Sequence, residues 1–290
     1  MKYEGDIIRP PSEANSLLLQ VTVGCSHNKC TFCPAYKIKK FKIKSIGEIQ
    51  EDILEASRYR SIEKVFLCDG DALIIPQEKI IQILNLIETH IKGVKRVGTY
   101  ANAKSIMRKT VNELIQLREH GLRIVYLGVE TGNDDLLRKI KKGVTSGEMI
   151  EAGRRVKEAG IILSATVILG LGGIETSIEH AFDTARILTE INPDYASALT
   201  LMIVPGTPLY SDYISANFIL PDKFEMLREL SIIIENSNFT NCFFTSNHAS
   251  NYFPVRVSLP FEKSKAVDMI DAVIKNRDIK HLRPEYLRGL

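Results

Sequence analysis

Residues 17–34 read LLLQVTVGCSHNKCTFCP, an apolar run from Leu17 to Val23 that delivers the chain directly to Cys25, Cys30 and Cys33. The run has the composition and length of a β-strand. The cysteines follow in Cys-x4-Cys-x2-Cys spacing, while Cys68 and Cys242 stand alone. An odd count, clustered this way behind a charged, Pro-bearing start without an apolar signal segment, argues against a disulfide framework. It argues for a metal or redox site.

Outward from this strand, short apolar runs alternate with helical stretches. Ser45-Ile-Gly-Glu48 is a capping box opening a helix with Ile46, Ile49 and Ile53 at helical spacing. Strands are expected at Val65–Cys68, Arg96–Tyr100, Ile124–Gly128, Ile161–Leu169 and Tyr195–Leu201. Between them lie helical patterns: the stripe Ile80, Leu84, Ile87, Ile91, then Thr110–His120, Asp134–Ile140, Thr145–Ala159 and Ser177–Glu190. Six strand–helix repeats imply parallel strands with right-handed crossovers, in an α/β sheet or barrel two units short of eight. The expectation is a partial, open (β/α)6 TIM-like barrel with an N-terminal lead-in over residues 1–205. A C-terminal cap of helix and loop is expected over residues 206–290, with a loop at 204–208, a surface helix at Asp222–Glu235, a strand at Phe239–Phe244 and an amphipathic helix at Glu262–Lys275.

Composition bounds the partners. With 44% hydrophobic residues among 290, the chain can bury enough apolar area to offset ordering entropy, which excludes disorder. Lys+Arg of 38 against Asp+Glu of 35 gives +3, too little to argue for nucleic acid by charge alone. No apolar run approaches the roughly 20 residues of a membrane span. A cytoplasmic protein is expected.

Three thiolates in one loop can ligate three irons of a cubane, whereas a fully protein-ligated [4Fe–4S] cluster takes four. Unless Cys68 or Cys242 supplies the fourth, one iron stays open to an exogenous ligand. A structural zinc site on Cys25, Cys30, Cys33 and a histidine such as His27 is the alternative.

The segment Gly24-Cys-Ser-His-Asn-Lys-Cys-Thr-Phe-Cys-Pro34, with Phe32 inside the final pair, resembles the cluster loop of radical S-adenosylmethionine (SAM) enzymes. The resemblance is to the branch of anaerobic coproporphyrinogen oxidase and Elongator-type proteins, and it continues to about Leu209. The family's common spacing is three residues then two; here it is four then two. The resemblance implies a [4Fe–4S] cluster held by Cys25, Cys30 and Cys33 at the barrel mouth, with SAM chelated on the open iron. One electron from a ferredoxin or flavodoxin would cleave SAM to a 5′-deoxyadenosyl radical that abstracts a substrate hydrogen, chemistry of an oxidoreductase or lyase type run anaerobically.

The same resemblance assigns SAM contacts. Gly70 and Asp71, in the turn Cys68-Asp-Gly-Asp-Ala72, fall where the family holds the SAM ammonium; an Asx-rich turn is the plainer reading, with Cys68 a small buried hydrophobe. Glu130, in Gly128-Val-Glu-Thr-Gly132, sits where SAM or substrate hydroxyls are met, or in a turn that only caps a helix. Lys142 matches a basic residue near the SAM carboxylate, or is simply solvated. Ile168 before Gly170 matches the adenine-binding strand end, with Ser164 and Thr166 toward the ribose. Asn102 ends the third strand on the same rim.

On the substrate side, His248 and Asn251 in Ser246-Asn-His-Ala-Ser-Asn-Tyr252 are expected to face the cavity, against the alternative of a polar surface loop. A small-molecule substrate is expected over a macromolecule. Two other classes stay open: an RNA-modifying enzyme, and a zinc- or cluster-stabilised binding protein without catalysis.

Overall fold

The computed structural model describes residues 1–59 and 61–289, so Leu290, the end of the expected cap, lies outside the described residues. The chain visits two compact units alternately. The first comprises Met1–Asn28, Ala35–Leu127 and Glu151–Leu163; the second comprises Lys29–Pro34, Gly128–Ile150 and the chain from Ser164 onward.

In the first unit, β1 (Leu17–Gln20), β2 (Lys64–Cys68), β3 (Arg96–Ala101) and the start of β4 (Leu122–Glu130) pair in parallel, with Leu17 opposite Val65, Val65 opposite Val97 and Thr99 opposite Val125. Val65, Phe66, Leu67 and Cys68 are fully buried, which is why β2 is apolar along its length rather than alternating. Helices α1 (Ile46–Ala56), α2 (Gln77–His90) and α3 (Val111–Glu119) provide the crossovers, α1 and α3 opening with the capping boxes Ser45/Glu48 and Thr110/Glu113. The rings of Phe66, Tyr100 and Tyr126 meet edge-on, with centroids 5.0, 5.7 and 6.0 Å apart. Glu13 of the lead-in buries its carboxylate beside them, accepting from Arg96 (2.6 Å), Tyr126 and Ser16.

The expected first strand ends earlier than Val23. Val21 still donates to Cys68 O (2.8 Å), but Thr22 and Val23 leave that ladder and pair antiparallel with Ile43 and Lys42. This two-residue ladder closes the base of the cysteine-bearing excursion, a job a longer parallel strand could not do.

In the second unit, β5 (Ile162–Leu169) pairs from Ser164 onward with β6 (Tyr195–Thr200), and β6 with β7 (Cys242–Thr245), all in parallel. A strand the apolar pattern did not announce, β8 (Arg256–Leu259), adds antiparallel to β7. Helix α4 (Ser146–Glu158), which opens with a Thr145/Glu148 capping box, begins in the second unit and runs from Glu151 onward in the first. Helix α5 (Gly173–Ile191) begins four residues before the expected Ser177, with a non-helical kink at Thr176. Pro208–Ile214 is a short helix, capped by Thr207 and started by its proline, where only a loop was expected through Pro208.

Helix α6 (Lys223–Asn236) is not the surface helix expected. It is packed by both α5 and α7 (Lys263–Lys275), and Phe224, Met226, Leu227, Leu230, Ile233 and Ile234 are buried. β1 to β6 and their helices follow the order of the expected α/β partial (β/α)6 barrel, and the expected cap adds β7 as a further parallel strand and β8 as an antiparallel one. Among the described residues no helix is long and apolar enough to cross a membrane.

Candidate cofactor site

The turn after β2 grips the chain on both sides of Cys25. Asp69, fully buried, accepts at Oδ2 from Gly24 N (2.8 Å), Lys39 Nζ (2.9 Å) and Gln20 Nε2 (3.0 Å). Gly70 N donates back to Gly24 O (3.2 Å). Asp71, also fully buried, accepts from Ser26 Oγ, from Asn102 Nδ2 (2.6 Å) and N (3.3 Å), and from Ser105 Oγ. Both neighbours of Cys25 are therefore tied to three consecutive residues. Gly70 is required by the close approach: a Cβ there would stand 3.1 Å from Cys25 Cβ and 2.6 Å from the Tyr36 ring.

Cys25, Gly70, Asp71 and Asn102 thus come together as expected of one rim. Asp71, however, is not an open carboxylate. Its oxygens are taken up by four protein donors, and burial raises its pKa above the usual carboxylate range despite them. Asn102 is likewise committed, capping the helix Ala103–Met107 through Ser105 N (2.9 Å). Asp69 was missed; an acidic residue beside a glycine carries no sequence mark of which way it faces.

Cys30 and Cys33 belong to the second unit. There Thr31 N donates to Ile140 O (3.0 Å) and Leu209 N donates to Thr31 O (3.1 Å). Phe32 packs on an apolar cluster that includes Leu136, Leu137, Ile140, Leu171 and Ile168. At the base of the excursion, in the first unit, Asn28 Nδ2 donates to Tyr36 O (2.7 Å) and Lys37 Nζ to Asn28 O (3.1 Å).

Cys25, Cys30 and Cys33 are partly exposed, while Cys68 and Cys242 are buried. Burial pushes the Cys68 thiol pKa up, and its S–H is directed at Phe66 O (3.6 Å), so Cys68 is a packed hydrophobe rather than a fourth ligand. Three partly exposed cysteines on one loop are the donor set of a cluster that takes three protein thiolates. Among the described residues no three His, Cys, Asp or Glu side chains converge as ligands of a single ion do. A cubane places each thiolate on its own iron and needs no such convergence.

Farther along the second unit, Glu130 and Lys142 pair at 2.6 Å, with their side chains 12% and 10% exposed. The pair folds over Gly128, where a Cβ would fall 2.3 Å from Glu130 Oε1, and Glu130 itself adopts a left-handed φ of 66°. A non-glycine residue held there at a strand end costs about 1 kcal/mol or more, a strain seen where a side chain must be aimed. Lys142 is thus not a solvated lysine. Ser164, Thr166 and Ile168 occupy one face of β5, Ser164 buried and the other two partly exposed.

Two buried groups that the sequence did not single out hold this rim. His180 Nε2 donates to Ile168 O (3.0 Å), so Nδ1 accepts from Thr131 Oγ1 (2.8 Å), the residue after Glu130. Glu229 accepts from Gly170 N and Ser177 Oγ, both at 2.6 Å, and lies 3.8 Å from His180 Nε2. Burial lowers the His180 pKa to about 4 and raises that of Glu229 to about 7. Their sequence signal, a polar residue on the buried stripe of a helix, is easily taken for a helix surface.

Asn251 spends its amide on β6, accepting from Thr200 Oγ1 (2.8 Å) and donating to Ala198 O (2.9 Å), so it braces the loop instead of offering a free group. His248 is half-buried; its Nδ1 accepts from Ser250 N (3.1 Å), which leaves the ring proton on Nε2.

The chain matches the model of the Radical SAM superfamily over residues 19–188. It is 25% identical over 236 residues to the heme chaperone HemW of Buchnera aphidicola, covering 77% of this chain and 60% of that one. Among solved structures, the coproporphyrinogen III oxidase HemN of Escherichia coli aligns with a TM-score of 0.54 at 17% identity, over 74% of this chain and 51% of its own. The archaeal Elp3 of Methanocaldococcus infernus aligns with a TM-score of 0.53 at 15% identity, over 90% and 63%. The chain spans about three-fifths or less of the curated relatives it matches first.

Two outcomes follow from these ties. In apo protein, Asp69→Ala frees Gly24, and loss of about 1 kcal/mol of hydrogen bonding speeds Cys25 alkylation about fivefold, with Cys30 and Cys33 little changed. Peptide mapping by mass spectrometry after iodoacetamide reads this; equal acceleration at all three cysteines contradicts it. Glu229, whose folded pKa lies above its unfolded value, holds a proton in the native state that the unfolded chain has lost. Its contribution is therefore full below pH 4.5 and declines as pH rises toward about 7. His180 works oppositely, losing stability as pH falls from 6.5 toward about 4. Chemical denaturation of Glu229→Gln across that range should show the wild type losing ground to the variant as pH rises from 4.5 to 7; a constant difference contradicts the assignment.

Proposed function

The chain belongs to the radical SAM superfamily, and from that premise we propose that it is an enzyme using a [4Fe–4S] cluster on Cys25, Cys30 and Cys33, with SAM on the open iron. When bound, the pair supplies reductive cleavage of SAM to a 5′-deoxyadenosyl radical that takes a hydrogen atom from the substrate. The observation that carries this reading is the double grip on Gly24 and Ser26 by Asp69, Gly70 and Asp71, which aims Cys25 from a turn of a superfamily barrel.

Each residue has a task in this reading. Asp69 and Asp71 position the ligand loop, acting through Gly24 and Ser26. Gly70 lets Cys25 and the Tyr36 ring pack against the turn. Glu130 is held by Lys142, and the left-handed turn that carries it presents the pair at the end of β4, toward SAM or substrate hydroxyls. Ile168 offers a flat apolar strand end for the adenine, its carbonyl fixed by His180, with Ser164 and Thr166 on the same face toward the ribose. Burial of Cys68 keeps the fourth iron without a protein thiolate.

The electron comes from a ferredoxin- or flavodoxin-like donor, and the substrate is a small molecule over which residues 206–289 close, His248 being the candidate contact. HemW-like relatives make a heme-related compound one candidate.

Anaerobic reconstitution with iron and sulfide, then dithionite and SAM, should yield 5′-deoxyadenosine, with none above background from Cys30→Ala. A protein that instead holds one zinc and leaves SAM intact overturns the reading.

A further inference from the structure

The loop from β7 to β8 and the residues after α7 border an open crevice of about 320 Å³ lined by Ser246, His248, Asn251, Tyr252, His281 and Arg283, with proline and leucine around them. This volume is at the small end of ligand sites. The crevice adjoins the C-terminal end of β6. Thr200 N donates to Ser250 Oγ (3.2 Å), and Arg288 Nη2 donates to Leu201 O (3.0 Å), so the loop is fastened where α/β folds place ligands.

Its hydrogen-bonding character is one-sided. Arg283 spends Nη1 on the carbonyls of His248, Ala249 and Asn251, at 2.8, 2.6 and 3.2 Å. Its Nε and Nη2 bond nothing among the described residues, yet neither is a buried atom without a partner, so this edge of the guanidinium meets solvent. The edge carries the parallel pair of N–H groups that matches a carboxylate or phosphate. His248, with its proton on Nε2, adds a donor whose partner is likewise not protein. The hydroxyl of Tyr252 is committed to Glu285 (2.7 Å).

Among the described residues no carboxylate lines this crevice. The neighbouring one, about 440 Å³ and sharing Tyr252 and Arg283, sets Asp222 and Glu285 among its cations. His281 is already paired with Asp278 (2.7 Å), so Arg283 and His248 are the donors that the first crevice turns toward an anion, while the second balances itself.

We propose that the crevice binds an oxyanion, the carboxylate or phosphate group of a small molecule, on the Nε/Nη2 edge of Arg283 and Nε2 of His248. As a statement about the substrate this rests on the radical SAM reading. As a statement about binding it stands alone, and its test uses no SAM or reductant.

Titrate the full-length protein with succinate and, separately, inorganic phosphate at constant ionic strength, following the histidine ring resonances by NMR. The expected result is saturable binding of one anion or both, weakened about tenfold in Arg283→Lys and His248→Ala and unchanged in Arg277→Ala, a cation of the neighbouring crevice alone. The preferred anion tells carboxylate from phosphate. If Arg283→Lys fails to fold, His248→Ala decides, because that side chain bonds only Ser250. No saturable binding up to about 50 mM, or binding equal in wild type and His248→Ala, overturns the proposal. 5′-Deoxyadenosine formation with no anion binding would leave the radical reading standing and remove this one.

Discussion

A buried carboxylate oxygen, Asp69 Oδ2, collects donors from Gln20 at the end of β1, from Gly24 before the first cysteine and from Lys39 behind the loop. A charged group with no exposure is tolerable only when it is paired and hydrogen-bonded. The three donors are therefore a condition of the fold as much as a consequence of it. They bring together both ends of a loop that would otherwise be a polar excursion of some fifteen residues. Asp71 repeats the device one step on, joining Ser26 to Asn102 and Ser105, so the ends of β1, β2 and β3 are knit through side chains as well as through the ladder.

The second unit solves a similar problem by other means. The backbone of Thr31 and the ring of Phe32 help to hold the segment with Cys30 and Cys33. The rim beyond it depends on His180 and Glu229, buried titratable groups whose pKa values burial drives apart. In the first unit charge is balanced within hydrogen-bonding distance. In the second it is suppressed by desolvation, and near pH 6 both groups are neutral. Local rigidity at the two halves of the cysteine loop thus has different physical origins.

Much of this was legible beforehand, for identifiable reasons. Largely buried parallel strands such as Lys64–Cys68 and Ile162–Leu169 stand out as apolar runs, and capping boxes at Ser45 and Thr145 announce helix starts. Helix α6 was misjudged because contact with helices on both sides broadens its apolar face until the periodicity blurs. The end of β1 was misplaced because Val21 to Val23 stay apolar while changing partners. At the site, the cysteines could be named from spacing and Gly70 from the family resemblance. The orientation of carboxylates could not: Asp71 stood out as a ligand contact and serves as a brace, and Asp69 did not stand out at all. Whether a polar side chain points at a cofactor or at its own backbone is decided by tertiary packing, which one sequence does not display.

The central claim is that Cys25, Cys30 and Cys33 carry a cubane with one iron left for SAM. Low-temperature EPR of the reconstituted, dithionite-reduced protein, recorded with and without SAM, tests it most directly. A [4Fe–4S]⁺ signal whose line shape changes when SAM is added is expected, since only an iron without a fourth thiolate can accept it. A signal indifferent to SAM, or no cluster signal at all, would contradict it.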